Sequence, residues 1–197
     1  PDDKDAAQRA VDWLPLSINA AASSIKQLKP LFESRPDETL QTKFRDIYGV
    51  IDEIIMRLYF PSRGKDENQE STKHFYFKVK PLLEQIMSIA LEKDGLLIAH
   101  TAHYFMQLLN NVLRYDPKGV VHIAAGVAES SKRDNYNFDP LAIREVVRLV
   151  EAILTDYRSD VRDGEALNDL LNLLDIFAET GWPDALRLVW RLDEIFR

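Results

Sequence analysis

Residues 136–197 build one unit several times over: a helix start, an apolar stripe, a stop, and the next start. Asp139-Pro140 opens a segment with Ile143, Val146, Val147, Val150, Ile153, Leu154 and Tyr157 at helical spacing. A second segment, from about Gly164, sets Leu167, Leu170, Leu171, Leu174, Phe177 and Ala178 on one face, with Leu174 mid-stripe and expected in the core. A third, from Pro183, carries Leu188, Val189, Leu192, Ile195 and Phe196. Such stripes are buried only by stacking helix on helix, so the expected fold is all-α. Scarce glycine and the lack of alternating β-branched runs agree with this.

Upstream, residues 3–33 read as one helix interrupted at Pro15, or as two short ones, with apolar content Trp13, Leu14, Leu16, Ile18, Ile25, Leu28, Leu31 and Phe32. Ser34, with Asp37 three residues on, reads as the capped start of a helix that runs through Phe44, Ile47, Ile51, Ile54, Ile55 and Leu58 until Pro61 stops it. Residues 61–72 hold no large apolar side chain and read as a linker dividing a single helical domain, 1–197, into sub-halves 1–60 and 73–197. Beyond it, the pattern predicts a helix over 73–93 kinked at Pro81, another over 96–115, and a third that starts at Asp116-Pro117 and runs through Val127.

Tyr115-Asp116-Pro117 and Phe138-Asp139-Pro140 share a start of clear physical meaning. Asp caps free amides, Pro is pre-set for the first helical position, and the aromatic can staple onto the fourth helical residue. Two helices in roughly 45 residues resembles the HEAT or armadillo type of helical repeat over residues 72–197. That resemblance implies an array of roughly seven to nine antiparallel helices, HEAT-like or wound as a right-handed superhelix, with an extended binding surface. The run Leu174-Asp175-Ile176-Phe177-Ala178-Glu179-Thr180-Gly181-Trp182-Pro183, together with residues 191–197, resembles the tail of large multidomain bacterial ATP-binding proteins. It implies a helical, non-catalytic end of a chain whose nucleotide site lies elsewhere, since no glycine-rich phosphate loop occurs here. A first residue of Pro1 rather than Met fits a piece excised from a longer polypeptide.

The formal charge of -7 argues against broad nucleic-acid binding, which needs clustered Lys and Arg. The absence of cysteine excludes disulfides and thiolate chemistry and makes the cytoplasm the expected compartment. No apolar stretch reaches the ~20 residues of a membrane span. His100 and His103 lie three apart on a helix, but two ligands make no metal site, so neither metal nor cofactor is expected. His103 shares a polar face with Gln107, Asn110 and Arg114, where a solvated imidazole is expected. Ser23-Ser24 and Ser130-Ser131 lack the glycine turn that exposes a nucleophile, and Asp52 and Glu53 diverge on a helix.

Two stretches remain as binding surfaces. Lys73-His74-Phe75-Tyr76-Phe77-Lys78-Val79-Lys80 interleaves bases with aromatics, and Lys73, Tyr76, Phe77 and Lys80 are its candidate contact residues, because Phe75 and Val79 fall on the inward stripe. The helix over 164–180 carries Glu165, Asp169, Asp175 and Glu179 without a base, and those acids are expected to meet Arg144, Arg148, Arg187 or Arg191 on adjacent helices. The expected function is a non-catalytic protein-interaction or regulatory module, whose partner is another protein or other domains of its parent chain. The alternatives are a ligand-sensing or enzymatic pocket around His100, His103 and Tyr104, and single-stranded nucleic-acid binding through residues 73–80.

Overall fold

The computed structural model describes residues 3–34, 37–63, 69–92, 102–132, 140–162, 164–179, 181 and 183–196. Among them are eight α-helices and no strand: α1 (Asp3–Ser34), α2 (Glu38–Ser62), α3 (Gln69–Glu92), α4 (Ala102–Val112), α5 (Pro117–Lys132), α6 (Pro140–Asp156), α7 (Gly164–Glu179) and α8 (Pro183–Phe196). A single 3-10 turn, Leu113–Tyr115, links α4 to α5.

The helices stack in two layers. α1, α3, α5 and α7 pack each on the next in one layer, and α2, α4, α6 and α8 do so in the other. Between the layers runs one apolar cluster that extends from Leu14 in α1 to Leu188 in α8. Its most enclosed members include Ile18, Ile51, Leu58, Leu83, Met106, Leu108 and Ile123. Burying side chains of this size stabilises the stack by about 1.5–3 kcal/mol each. Leu174 is 2% exposed and sits in this core as expected.

Polar side chains tie neighbours within a layer. Gln85 Nε2 of α3 donates to Asn19 Oδ1 of α1 (2.6 Å), and Asn111 Nδ2 of α4 to Ser62 Oγ of α2 (3.0 Å). His122 Nδ1 of α5 lies 3.0 Å from Asp169 Oδ2 of α7, and Asn172 Nδ2 of α7 donates to Glu129 Oε2 of α5 (3.3 Å). Each bond adds only about 0.5–1.5 kcal/mol net, but a helix that slipped along its neighbour would break it, so these ties favour one register.

Several sequence expectations need correction. α1 runs on through Pro15, and through Pro30 as well, and α2 passes through Pro61, whereas α3 spans Pro81 as one helix, as expected. Pro15, Pro30, Pro61 and Pro81 are all exposed, so the carbonyls they leave unpaired are on helix flanks that water can reach. Ser34 ends α1 rather than capping α2, and Asp37 is the cap, its Oδ1 accepting from Leu40 N at 2.8 Å. The expected linker is shorter than 61–72, because α2 reaches Ser62 and α3 begins at Gln69. Ser62 and Thr72, small polar residues within that stretch, are buried. In α7, Leu173 and Ile176 are buried, whereas Leu171 stands 39% exposed, so the stripe is rotated from the expected one. The expected cap at Asp139 lies outside the described residues, although α6 does begin at Pro140 and α7 at Gly164.

Candidate functional site

The stretch 73–80 lies in the first half of α3, and α3 splits it into inward and outward residues. Tyr76 is completely buried, which removes it from any binding surface. Its hydroxyl donates to Asp116 Oδ2 at 2.9 Å, and Lys80 Nζ donates to the same oxygen at 2.7 Å. The other carboxylate oxygen accepts from the Gly119 backbone amide at 3.0 Å, so Asp116 also caps α5 in the way its Asp-Pro sequence predicts. A Cβ on Gly119 would fall on the Asp116 carboxylate and 2.8 Å from Lys80 Nζ, so this position on the first turn of α5 has no room for a side chain.

The electrostatics are those of a closed network. Burial alone pushes the Asp116 carboxyl upward, but the bonds from Lys80, the Gly119 amide and Tyr76, with the Lys80 charge, outweigh it and hold the group below its ordinary value. Burial, then the Asp116 charge and the hydrogen bond to it, push the Tyr76 phenol far above its usual range. Tyr76 is therefore a donor and never a base here. Lys80 is committed to Asp116 and lies 3.9 Å from Glu84 as well.

Of the expected contact residues, Phe77 and Lys73 stay at the surface. Phe77 is 49% exposed, with its ring edge-on to Tyr76. Lys73, 3.7 Å from Glu70, lines a recess of about 440 Å³ with Glu70, Arg114 and Tyr115. Arg114 stacks over the Tyr115 ring at 5.1 Å.

The second expected site, around His100, His103 and Tyr104, comes out differently. His100 lies outside the described residues. The face of α4 that carries His103, Gln107 and Asn110 is only partly exposed instead of solvated, because it meets α6. There, Gln107 Nε2 and Asn110 Nδ2 donate to the carboxylate of Glu145, each at 3.2 Å, and Arg148 Nη1 joins at 3.0 Å. The His103 ring lies 3.7 Å from that of Tyr104 at a tilt of 40°, and Tyr104 meets Tyr59 of α2 at 5.3 Å. Among the described residues no group of three His, Asp or Glu side chains is arranged to hold a metal. Ser130 is buried, with its hydroxyl turned onto Val127 O.

Among the acids of α7, Asp169 finds another partner than expected. Arg148 pairs with Glu145 and Arg187 with Asp184, each within its own helix, and Asp169 pairs with His122 of α5. The reason is topological: α7 lies in the same layer as α5, and its widest packing is against that helix.

One further open feature among the described residues was not singled out from the sequence. Between α1 and α2 lies a cleft of about 670 Å³ lined by Trp13, Leu14, Ser17, Gly49, Val50 and Ile54, with Arg45, Asp46, Glu53 and Arg57 around them. Trp13 is 68% exposed and Val50 44%. A signal was present in Trp13-Leu14-Pro15-Leu16, since no helix can turn four consecutive residues inward. No protein-family model, curated protein or solved structure matches the chain. The likeness to a helical repeat thus rests on the layered packing, and the likeness of the C-terminal run to ATP-binding proteins has no match behind it.

Proposed function

We propose that the chain is a helical protein-interaction or regulatory module of HEAT-like build that serves a larger protein and carries out no reaction itself. The observation that carries this is the α1–α2 cleft, an apolar groove flanked by charges with an exposed tryptophan at its wall. Exposed aromatics beside a groove are the side chains that most often anchor a protein partner. The in-layer packing of α1, α3, α5 and α7 on one side and α2, α4, α6 and α8 on the other supports the HEAT-like part. Two polar clusters are spent internally: Tyr76, Lys80 and Asp116 on one another, and Gln107, Asn110 and Arg148 on Glu145.

The test is a photo-cross-linking residue placed at Trp13 in the whole parent protein, in its own cells, with the exposed Ser23 as control position. The expected result is a defined protein adduct at position 13 and none at 23. Adducts to nucleic acid or to a small molecule at position 13, or equal protein labelling at both positions, would overturn the proposal.

A further inference from the structure

We infer that the partner of the α1–α2 cleft is a second copy of this chain, whose α8 seats in the cleft so that copies join end to end. The inference rests on the interaction-module reading and supplies its partner.

The way the stack grows points to a helix as occupant. α3 meets both α1 and α2, α4 meets α2 and α3, α5 meets α3 and α4, and α8 meets α6 and α7, so these four helices are each received between two earlier ones, whereas α6 packs chiefly on α4 and α7 on α5. α1 is tied to α3 through Asn19, and α2 to α4 through Ser62. The cleft opens on the other flanks of α1 and α2, those of Trp13, Ser17, Asp46, Val50 and Arg57. It therefore lies where one more helix, placed before α1 and α2, would continue both layers.

Gly49 supports a close approach of that helix. It sits mid-way along α2 on the wall of the cleft, and a Cβ there would have nothing within 4 Å. Among the described residues no contact calls for a glycine, and a helical glycine costs roughly 0.5–1 kcal/mol relative to alanine. A missing side chain on an open groove wall lets a second backbone come near.

The other end of the stack offers a matching surface. α8 turns Ala185 and Leu188 into the core and leaves Leu186 and Trp190, one turn apart, 37% and 80% exposed on its outer side. One end is thus a groove with a glycine wall and the other a helix with a protruding apolar pair. The charges allow them to meet: Arg45 and Arg57 balance Asp46 and Glu53 around the cleft, and Asp184 pairs with Arg187 on α8. Stacked helical arrays commonly end in polar faces, whereas here Trp13 and Val50 stand exposed at one end and Leu186 and Trp190 at the other. Because the two surfaces differ, the contact is heterologous and repeats in a row instead of closing as a symmetric pair.

The test is sedimentation velocity on the purified chain over a concentration series, with Gly49→Trp to fill the cleft and Trp190→Ala to remove the projecting anchor. Val50→Arg serves as a second cleft variant should Gly49→Trp lose its helical circular dichroism. The unaltered chain is expected to sediment faster with concentration, past the dimer, and each variant alone to remain monomeric. An equimolar mixture of Gly49→Trp and Trp190→Ala should form a one-to-one dimer and nothing larger, since one keeps the helix surface and the other the cleft. A chain that stays monomeric throughout overturns the inference, as does association that survives in either variant alone. A monomeric chain that still cross-links to another protein through position 13 would sink end-to-end assembly and leave the module standing. A monomeric chain without such adducts would sink both.

Discussion

Two glycines within helices mark the difference between the middle of this molecule and its first end. At Gly119 the space for a side chain is taken by the Asp116 carboxylate and the Lys80 ammonium, whereas at Gly49 it is empty. Around Gly119, Tyr76, Lys80 and the first turn of α5 saturate one carboxylate, and the tyrosine is wholly buried. Around Gly49, Trp13 and Val50 face outward over a cleft. The same residue type thus serves internal closure in one place and external access in the other, and only its neighbours in space tell which. A polar cluster with every partner found is a joint, while an apolar surface with none is an invitation.

The contrast breaks most easily at its largest expected effect. Tyr76→Ala should destabilise the fold by about 3–5 kcal/mol in chemical denaturation, because it empties a buried aromatic site and leaves Asp116 short of a donor. Trp13→Ala, at the open end, should stay within about 0.5 kcal/mol. Comparable losses at the two sites would mean that the α1–α2 end is as closed as the α3–α5 junction. Gly119→Ala should cost about 1–3 kcal/mol, since the new methyl group forces Asp116 away from Lys80 and Tyr76. An alanine variant as stable as the parent would show that the joint has slack.

The joint should also have a pH signature. The Asp116 carboxyl is held below its ordinary value, so its contribution is complete above about pH 4, the unfolded aspartate value, and is lost as pH falls through the depressed folded value. Tyr76 behaves oppositely: its phenol is raised, so its contribution is complete below about pH 10 and is lost as pH climbs beyond that. Asp116→Asn should therefore cost about 1–2 kcal/mol at pH 7, and less once the pH has fallen through the depressed folded value, where the native carboxylate also gains a proton. Equal denaturation midpoint differences at both pH values would show that the bonds to Asp116 do not depend on its charge.

How much of this was legible follows the range of each interaction along the chain. The Asp116-Pro117 start was readable because the cap bond spans three residues, from Asp116 to Gly119. The prolines misled because the missing amide is a local penalty, while the stripe from Leu14 to Ile25 and that from Phe44 to Leu58 are buried by helices elsewhere in the chain. In the stretch 73–80, the inward turn of Val79 could be read from spacing, but the fate of Tyr76 and Lys80 could not. Their common partner lies 40 and 36 residues away. Asp169 of α7 was assigned to the wrong helix for the same reason: sequence order suggests α6 and α8 as neighbours, and two-layer stacking makes α5 the principal one. The cleft was half-legible, with the excess of apolar side chains at 13–16 visible and its meeting with α2 not.

The smallest expected effect is the sharpest discriminator, because its sign differs between two measurements. Gly49→Ala adds a methyl group where nothing stands within 4 Å, in the interior of a 25-residue helix. Alanine gives up less backbone freedom on folding than glycine, so the isolated chain should gain about 0.5–1 kcal/mol of stability, read as a raised denaturation midpoint. If the cleft wall must stay bare for a second copy to approach, the same substitution should shift association to higher protein concentration in sedimentation. Gly119→Ala gives no such split, since the methyl group there meets the chain's own side chains. Should Gly49→Ala leave association unchanged while it stabilises the monomer, the glycine has no role at the contact and the cleft accepts its partner through Trp13 and Val50 alone. Should it destabilise the monomer, the space beside Gly49 is already filled by the chain itself, and the contrast between the two glycines collapses.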